Sequence, residues 1–104
     1  MAWIFLLIAG LFEVGWVIGM KYSEGFTKIV PSVLMVLALC ASFWFLTLAV
    51  KSLPLGTSYA VWTGIGAAGG MIAGIILFGE SASVMRLASA ALIVSGIIGL
   101  KLAT

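Results

Sequence analysis

Long apolar runs separated by short charged turns constrain this chain more than any other feature. Ile29 to Val50 carries no charged side chain, and neither does Thr57 to Phe78. Ala2 to Met20 carries one, Glu13, and Val84 to Leu102 carries only Arg86 and Lys101, each near an end. A helix needs about 20 apolar residues to cross a hydrocarbon layer of about 30 Å. The pattern predicts an all-α integral membrane protein with four spans, at about residues 2–20, 29–50, 57–78 and 84–102. Pro31 suits a first helical turn, Pro54 and Gly56 break the chain between spans, and Ser83 suits an N-cap. Four spans exhaust the 104 residues as a single transmembrane domain. The start does not read as a cleaved signal peptide, because it lacks a basic leading region and Glu13 interrupts its apolar stretch.

Composition agrees and excludes alternatives. The chain is 64% apolar and 8% charged, against about 45–50% and about 25% in soluble domains. Five basic residues and three glutamates are too few charges for a nucleic-acid surface. No histidine is present and the carboxylates are scattered, so no metal site, no cofactor and no enzymatic triad is expected. Cys40 is the single cysteine; it lies within an apolar run and is expected to be a buried, inert thiol.

Four spans place both termini on one side of the membrane, with Lys51 and Lys101. Lys21, Lys28 and Arg86 fall on the other side. Orientation follows the Lys/Arg imbalance across the bilayer. A two-against-three split is close to none, so the chain is expected to insert both ways up; a weak bias toward one orientation is the equal alternative. Insertion both ways permits an antiparallel homodimer, the inverted-repeat arrangement of larger transporters built from two chains.

Glu13 is the charge out of place. A carboxylate in mid-span costs about 2.5–3.5 kcal/mol or more on insertion scales, and such groups usually face a cavity or a partner. At 100° per residue it shares a face with Leu6, Ala9, Gly10, Trp16, Val17 and Met20. No Lys or Arg lies at comparable depth. A dry carboxylate is stabilised by a proton or by a cation, which is the minimum apparatus for antiport driven by a proton gradient. The alternative is a protonated side chain bonded to a neighbouring helix.

Other residues cluster by the same geometry. Tyr59, Trp62, Thr63, Gly66 and Gly70 share one face of the third span. With Trp16 and Glu13 they could form a cation pocket through ring faces and a carboxylate; ordinary core aromatics are the competing account. Ser42 in the second span would bond its own backbone by default, or orient Glu13. Gly64, Gly66, Gly69 and Gly70 allow close helix approach and suggest a hinge. Ser89, Leu92, Ile93 and Gly96 form a face of the fourth span that could contact a second copy or pack within one chain.

These residues resemble the small multidrug resistance family over the whole chain. The similarity rests on the chain's size and its four spans, on Glu13, and on the continuous segment Leu53 to Gly66, reading Leu-Pro-Leu-Gly-Thr-Ser-Tyr-Ala-Val-Trp-Thr-Gly-Ile-Gly. Glu13-Val14-Gly15-Trp16 is similar to the guanidinium-exporting subtype, as are Gly10, Gly79-Glu80, Arg86 and Gly99-Leu100-Lys101. The resemblance implies an antiparallel dimer in the inner membrane with both copies of Glu13 in one site. It implies that Glu13 binds guanidinium or a proton, with Ser42 and Trp16 fixing its rotamer. Tyr59 would gate and bond the carboxylate, Trp62 would line the pocket, and Gly10 would leave room beside it. Cys40 to Phe45 instead resembles the multidrug subtype, which implies a lipid portal at Phe43 and Phe45 and passage of small alkylated guanidines or some quaternary ammonium ions. Some family members pair with a second, related chain. The expectation is therefore a proton-coupled guanidinium exporter. A polyspecific quaternary ammonium exporter of the same fold is the alternative, and a non-transporting membrane subunit is the alternative from another class.

Overall fold

A computed structural model describes residues Met1–Thr104. Four helices follow one another: α1 (Ala2–Tyr22), α2 (Ile29–Val50), α3 (Leu55–Phe78) and α4 (Val84–Ala103). Each is long and apolar enough to cross a membrane. Their ends follow local chemistry. Pro54, with φ −57°, caps α3, so the helix begins at Leu55, two residues ahead of the expected Thr57. Proline favours such a boundary because its φ is already helical and it has no N–H to satisfy. Gly79 ends α3 in the left-handed region at φ 65°, and the N–H of the following residue, Glu80, donates to the Gly74 carbonyl at 3.2 Å. Ser83 Oγ accepts from the Arg86 N–H at 3.3 Å and starts α4. Helix α1 runs two residues past Met20 and closes on Ser23, whose Oγ donates to the Met20 carbonyl at 2.8 Å.

The hub is α1. It packs against both α2 and α3, which barely meet each other, while the backbone of α4 approaches α3 alone. Only 15 of 104 residues are buried, and more than half of the large apolar side chains are exposed, as a lipid-embedded protein permits. The small core comprises Leu6, Ala9, Ala49, Val61 and Trp62. Helix α2 buries Met35, Ser42 and Ala49, spaced every seven residues along one stripe. Cys40 lies about 160° round α2 from Ser42 at about 100° per residue. It is therefore exposed on the outer face, which corrects the expectation of a buried thiol.

Helical hydroxyls satisfy themselves locally. Ser32, Thr47, Thr63, Ser89 and Ser95 each donate to the carbonyl four residues earlier. This costs nothing in apolar surroundings and leaves no orphan donor facing lipid. Two buried serines differ: the Ser42 hydroxyl reaches another helix, and the Ser58 Oγ has no hydrogen-bond partner.

The glycines of α3 are absorbed by packing. Helix α3 is continuous through them. A Cβ on Gly66 would overlap the Glu13 Cγ, and one on Gly69 would overlap the Val14 side chain. Gly64 faces Ile97 of α4, where an added Cβ would sit 3.0 Å from its Cδ1. Gly70 is looser, with Val17 at 4.0 Å from the position of a Cβ. Close approach of α1 and α4 therefore accounts for Gly64, Gly66 and Gly69 without a break in the helix.

Candidate functional site

Glu13 lies midway along α1 and is 9% exposed. The Trp16 indole N–H donates to Glu13 Oε1, one helical turn away. That turn places both side chains on one face, as i and i+3 neighbours must be. No other hydrogen bond reaches the carboxyl group. No Lys or Arg pairs with it either, since the two salt bridges, Lys28–Glu24 and Arg86–Glu80, lie in the loops and at helix ends. The carboxyl group instead borders a cavity of about 420 Å³ lined by Glu13, Val17, Thr63, Gly66, Ala67 and Gly70. Gly66 and Gly70 add no side chain to this cavity, which keeps it wide.

An aromatic row stands beside it. Trp62 is 8% exposed and sits between Phe43 and Tyr59, with ring centroids 5.7 and 5.8 Å away. Its indole N–H donates to Ser42 Oγ at 2.8 Å, and Ser42 Oγ donates to the Ala9 carbonyl at 2.7 Å. One hydroxyl thus ties α1, α2 and α3 together next to the site. Both of its hydrogen-bonding roles are used, so Ser42 fixes Trp62 and leaves Glu13 to Trp16. The expectation that Ser42 bonds its own helix, or the carboxylate, gives way to this bridge. Periodicity on one helix cannot report a partner on two others.

The remaining candidates divide. Thr63 lines the cavity, with its hydroxyl donating to the Tyr59 carbonyl at 2.8 Å. Tyr59 is 58% exposed and packs against Trp62 with the rings tilted by 49°, and its phenol makes no bond to Glu13 within one protomer. The space beside Gly10 is filled by Ile65, whose Cβ would lie 2.7 Å from an added Cβ. Phe43 and Phe45 point apart: Phe43 meets Trp62 of α3, whereas Phe45 packs against Phe5 and Phe12 of α1. Two residues apart on a helix means about 200° of rotation, so they do not form a single portal within the protomer. On α4, Ser89, Leu92 and Gly96 are exposed, while Ile93 leans on Gly64. Sequence reasoning missed the pair at the end of α3, where Arg86 donates to Glu80 Oε1 at 3.1 Å and to the Ser81 carbonyl at 2.7 Å. The clue was present in two opposite charges six residues apart across the Ser81-Ala82-Ser83 loop.

Replacing Ser42 by Ala leaves a buried indole N–H unpaired, which costs about 1–3 kcal/mol. Lower thermal stability and a displaced Trp62 indole resonance are the expected readouts. An unmoved resonance would remove Ser42 as the anchor of Trp62.

Four apolar spans around one unpaired interior carboxyl group define a small polytopic membrane protein with a polar site between its helices. Residues 1–93 match the Small Multidrug Resistance protein family. The chain is 62% identical to the guanidinium exporter of Escherichia coli (strain K12), over all of this chain and 99% of that one. It is 61% identical to the guanidinium exporter of Yersinia pseudotuberculosis over the full length of both, and 60% identical to that of Citrobacter freundii over all of this chain and 99% of that one. The chain belongs to the small multidrug resistance family.

Proposed function

We propose that this chain exports guanidinium and small substituted guanidines in exchange for protons, as an antiparallel homodimer in the inner membrane. One observation carries the reading: Glu13 is buried in mid-span with no cationic partner and opens onto a cavity. A carboxylate so placed is satisfied by a proton or by a small cation, and holds only one at a time. Guanidinium is planar and permanently charged, and it pairs with carboxylates through two parallel N–H donors. Trp16 occupies one edge of the carboxyl group and leaves the remainder for such a fork. The names of the full-length relatives support the same substrate.

The dimer completes the site. Within one protomer the cavity beside Glu13 is open, and Tyr59 reaches outward past Trp62. A second copy, inverted, would close the cavity and bring a second Glu13 and a second Tyr59 to it. Helix α4, whose backbone approaches α3 alone, supplies Ser89, Leu92 and Gly96 for the contact.

Reconstituted protein in liposomes tests substrate and coupling together. Guanidinium should drive proton movement, and tetraphenylphosphonium should drive little. Equal currents with both ions would favour the polyspecific reading, which the exposed Phe43–Trp62–Tyr59 row also suits. No current with either ion would overturn transport. Orientation is tested with single cysteines at Thr27 and Ser52, in a Cys40→Ala background because Cys40 is exposed. These neutral positions leave the charge balance intact. Membrane-impermeant reagent from one side should label about half of the molecules at each position, as a nearly even Lys/Arg split predicts. Complete labelling at one position and none at the other would end the proposal of insertion both ways.

A further inference from the structure

The largest cavity in the molecule is not at Glu13. It measures about 440 Å³ and lies between α1, α3 and α4, lined by Trp3, Leu7, Val61, Ile65 and Ile98, with Lys101 at its mouth. It shares no residue with the cavity beside Glu13. Val61 and Ile65 lie about 160–200° round α3 from Thr63, so the two openings are on opposite sides of the α1–α3 seam.

The crevice is graded along the membrane normal. Trp3 is the second residue of α1, and Lys101 lies two residues from the end of α4, so both stand at the membrane surface. Leu7 is about 6 Å below Trp3, and Ile65 is about 15 Å into α3, at about 1.5 Å per residue. The result is an apolar slot with a cation at its surface end. The Lys101 amine sits 5.8 Å from the centroid of the Trp3 ring and has no carboxylate partner.

We propose that this slot binds an anionic phospholipid, with one acyl chain between α1 and α4 and the headgroup phosphate on Lys101. Charge complementarity selects the occupant. A neutral apolar ligand leaves Lys101 unanswered, and a zwitterionic headgroup brings its own cation next to it. A second copy of the chain is not the better occupant. Ser89, Leu92 and Gly96, the face offered for pairing, lie about 80–180° round α4 from the residues that line the slot, Ile97, Ile98, Lys101 and Leu102. The slot therefore stays open to lipid when that face is covered.

Native mass spectrometry of the protein from mixed micelles tests this. With equal phosphatidylglycerol and phosphatidylcholine, the wild type should retain the anionic lipid by about fivefold, the size expected for one interfacial charge. Lys101→Gln should lose the preference. Leu7→Trp, which fills the slot and keeps the charge, should lose the bound lipid itself. A preference that survives in Leu7→Trp would reduce the effect to surface attraction and overturn the site, as would a preference that survives in Lys101→Gln or is absent from the wild type. Guanidinium binding should persist in both variants, which separates this result from any failure at Glu13.

Discussion

Glu13→Gln abolishes coupled exchange. The amide keeps the shape of the side chain and still accepts the Trp16 N–H, so the fold around α1 is retained. What disappears is the charge. Removing one member of a dry, hydrogen-bonded charge pair costs about 3 kcal/mol, or about 100-fold in substrate binding. An amide also carries no transferable proton, so the driving reaction is lost as well. Liposome flux should fall to background at every pH, and any residual guanidinium binding should no longer depend on pH. Insertion should not suffer, because the substitution removes a group whose placement in the membrane costs about 2.5–3.5 kcal/mol. Normal proton-coupled flux in this variant would refute the mechanism outright.

Gly66→Ala attacks the same site from the opposite helix. The added methyl overlaps the Glu13 Cγ, which lies in mid-helix and cannot move without shifting α1 or rotating the carboxyl group away from Trp16. Overpacking of this kind costs about 1–3 kcal/mol. The expected outcome is a lower unfolding temperature together with transport near that of Glu13→Gln. Gly70→Ala is the control: its methyl meets Val17 at an ordinary 4.0 Å, so the fold should hold while the cavity shrinks. If Gly66→Ala transports as the wild type does, the close approach of α1 and α3 is not needed for function.

Legibility in the sequence depended on whether a signal was local. Spans and caps were readable because charge spacing, Pro54, Gly79 and Ser83 act within a few residues. Glu13 and Trp16 were readable because i and i+3 neighbours on a helix must share a face. Ser42 was not, because its two partners, the Ala9 carbonyl and Trp62, sit on α1 and α3. Cys40 misled for a related reason: in lipid, apolar surroundings do not imply burial, and all faces of α2 look alike in hydropathy. The glycines of α3 were visible as a cluster. Their separate roles, against Glu13, Val14 and Ile97, required knowing which helices flank α3.

At three glycines the seam between α1 and α3 has no slack. Gly66 and Gly69 admit Glu13 and Val14, and Gly10 admits Ile65, with no space to spare. Natural drift in this chain is therefore confined in a predictable way. Outward-facing positions such as Ile76 and Leu92 can exchange among apolar types at little cost. New substrate ranges are not expected from filling the seam at Gly66, since a methyl there unseats the carboxylate. They are expected at the open rim of the cavity, at Thr63, Ala67 and Gly70. A selection for altered cation specificity should recover substitutions at those three positions and none at Gly66.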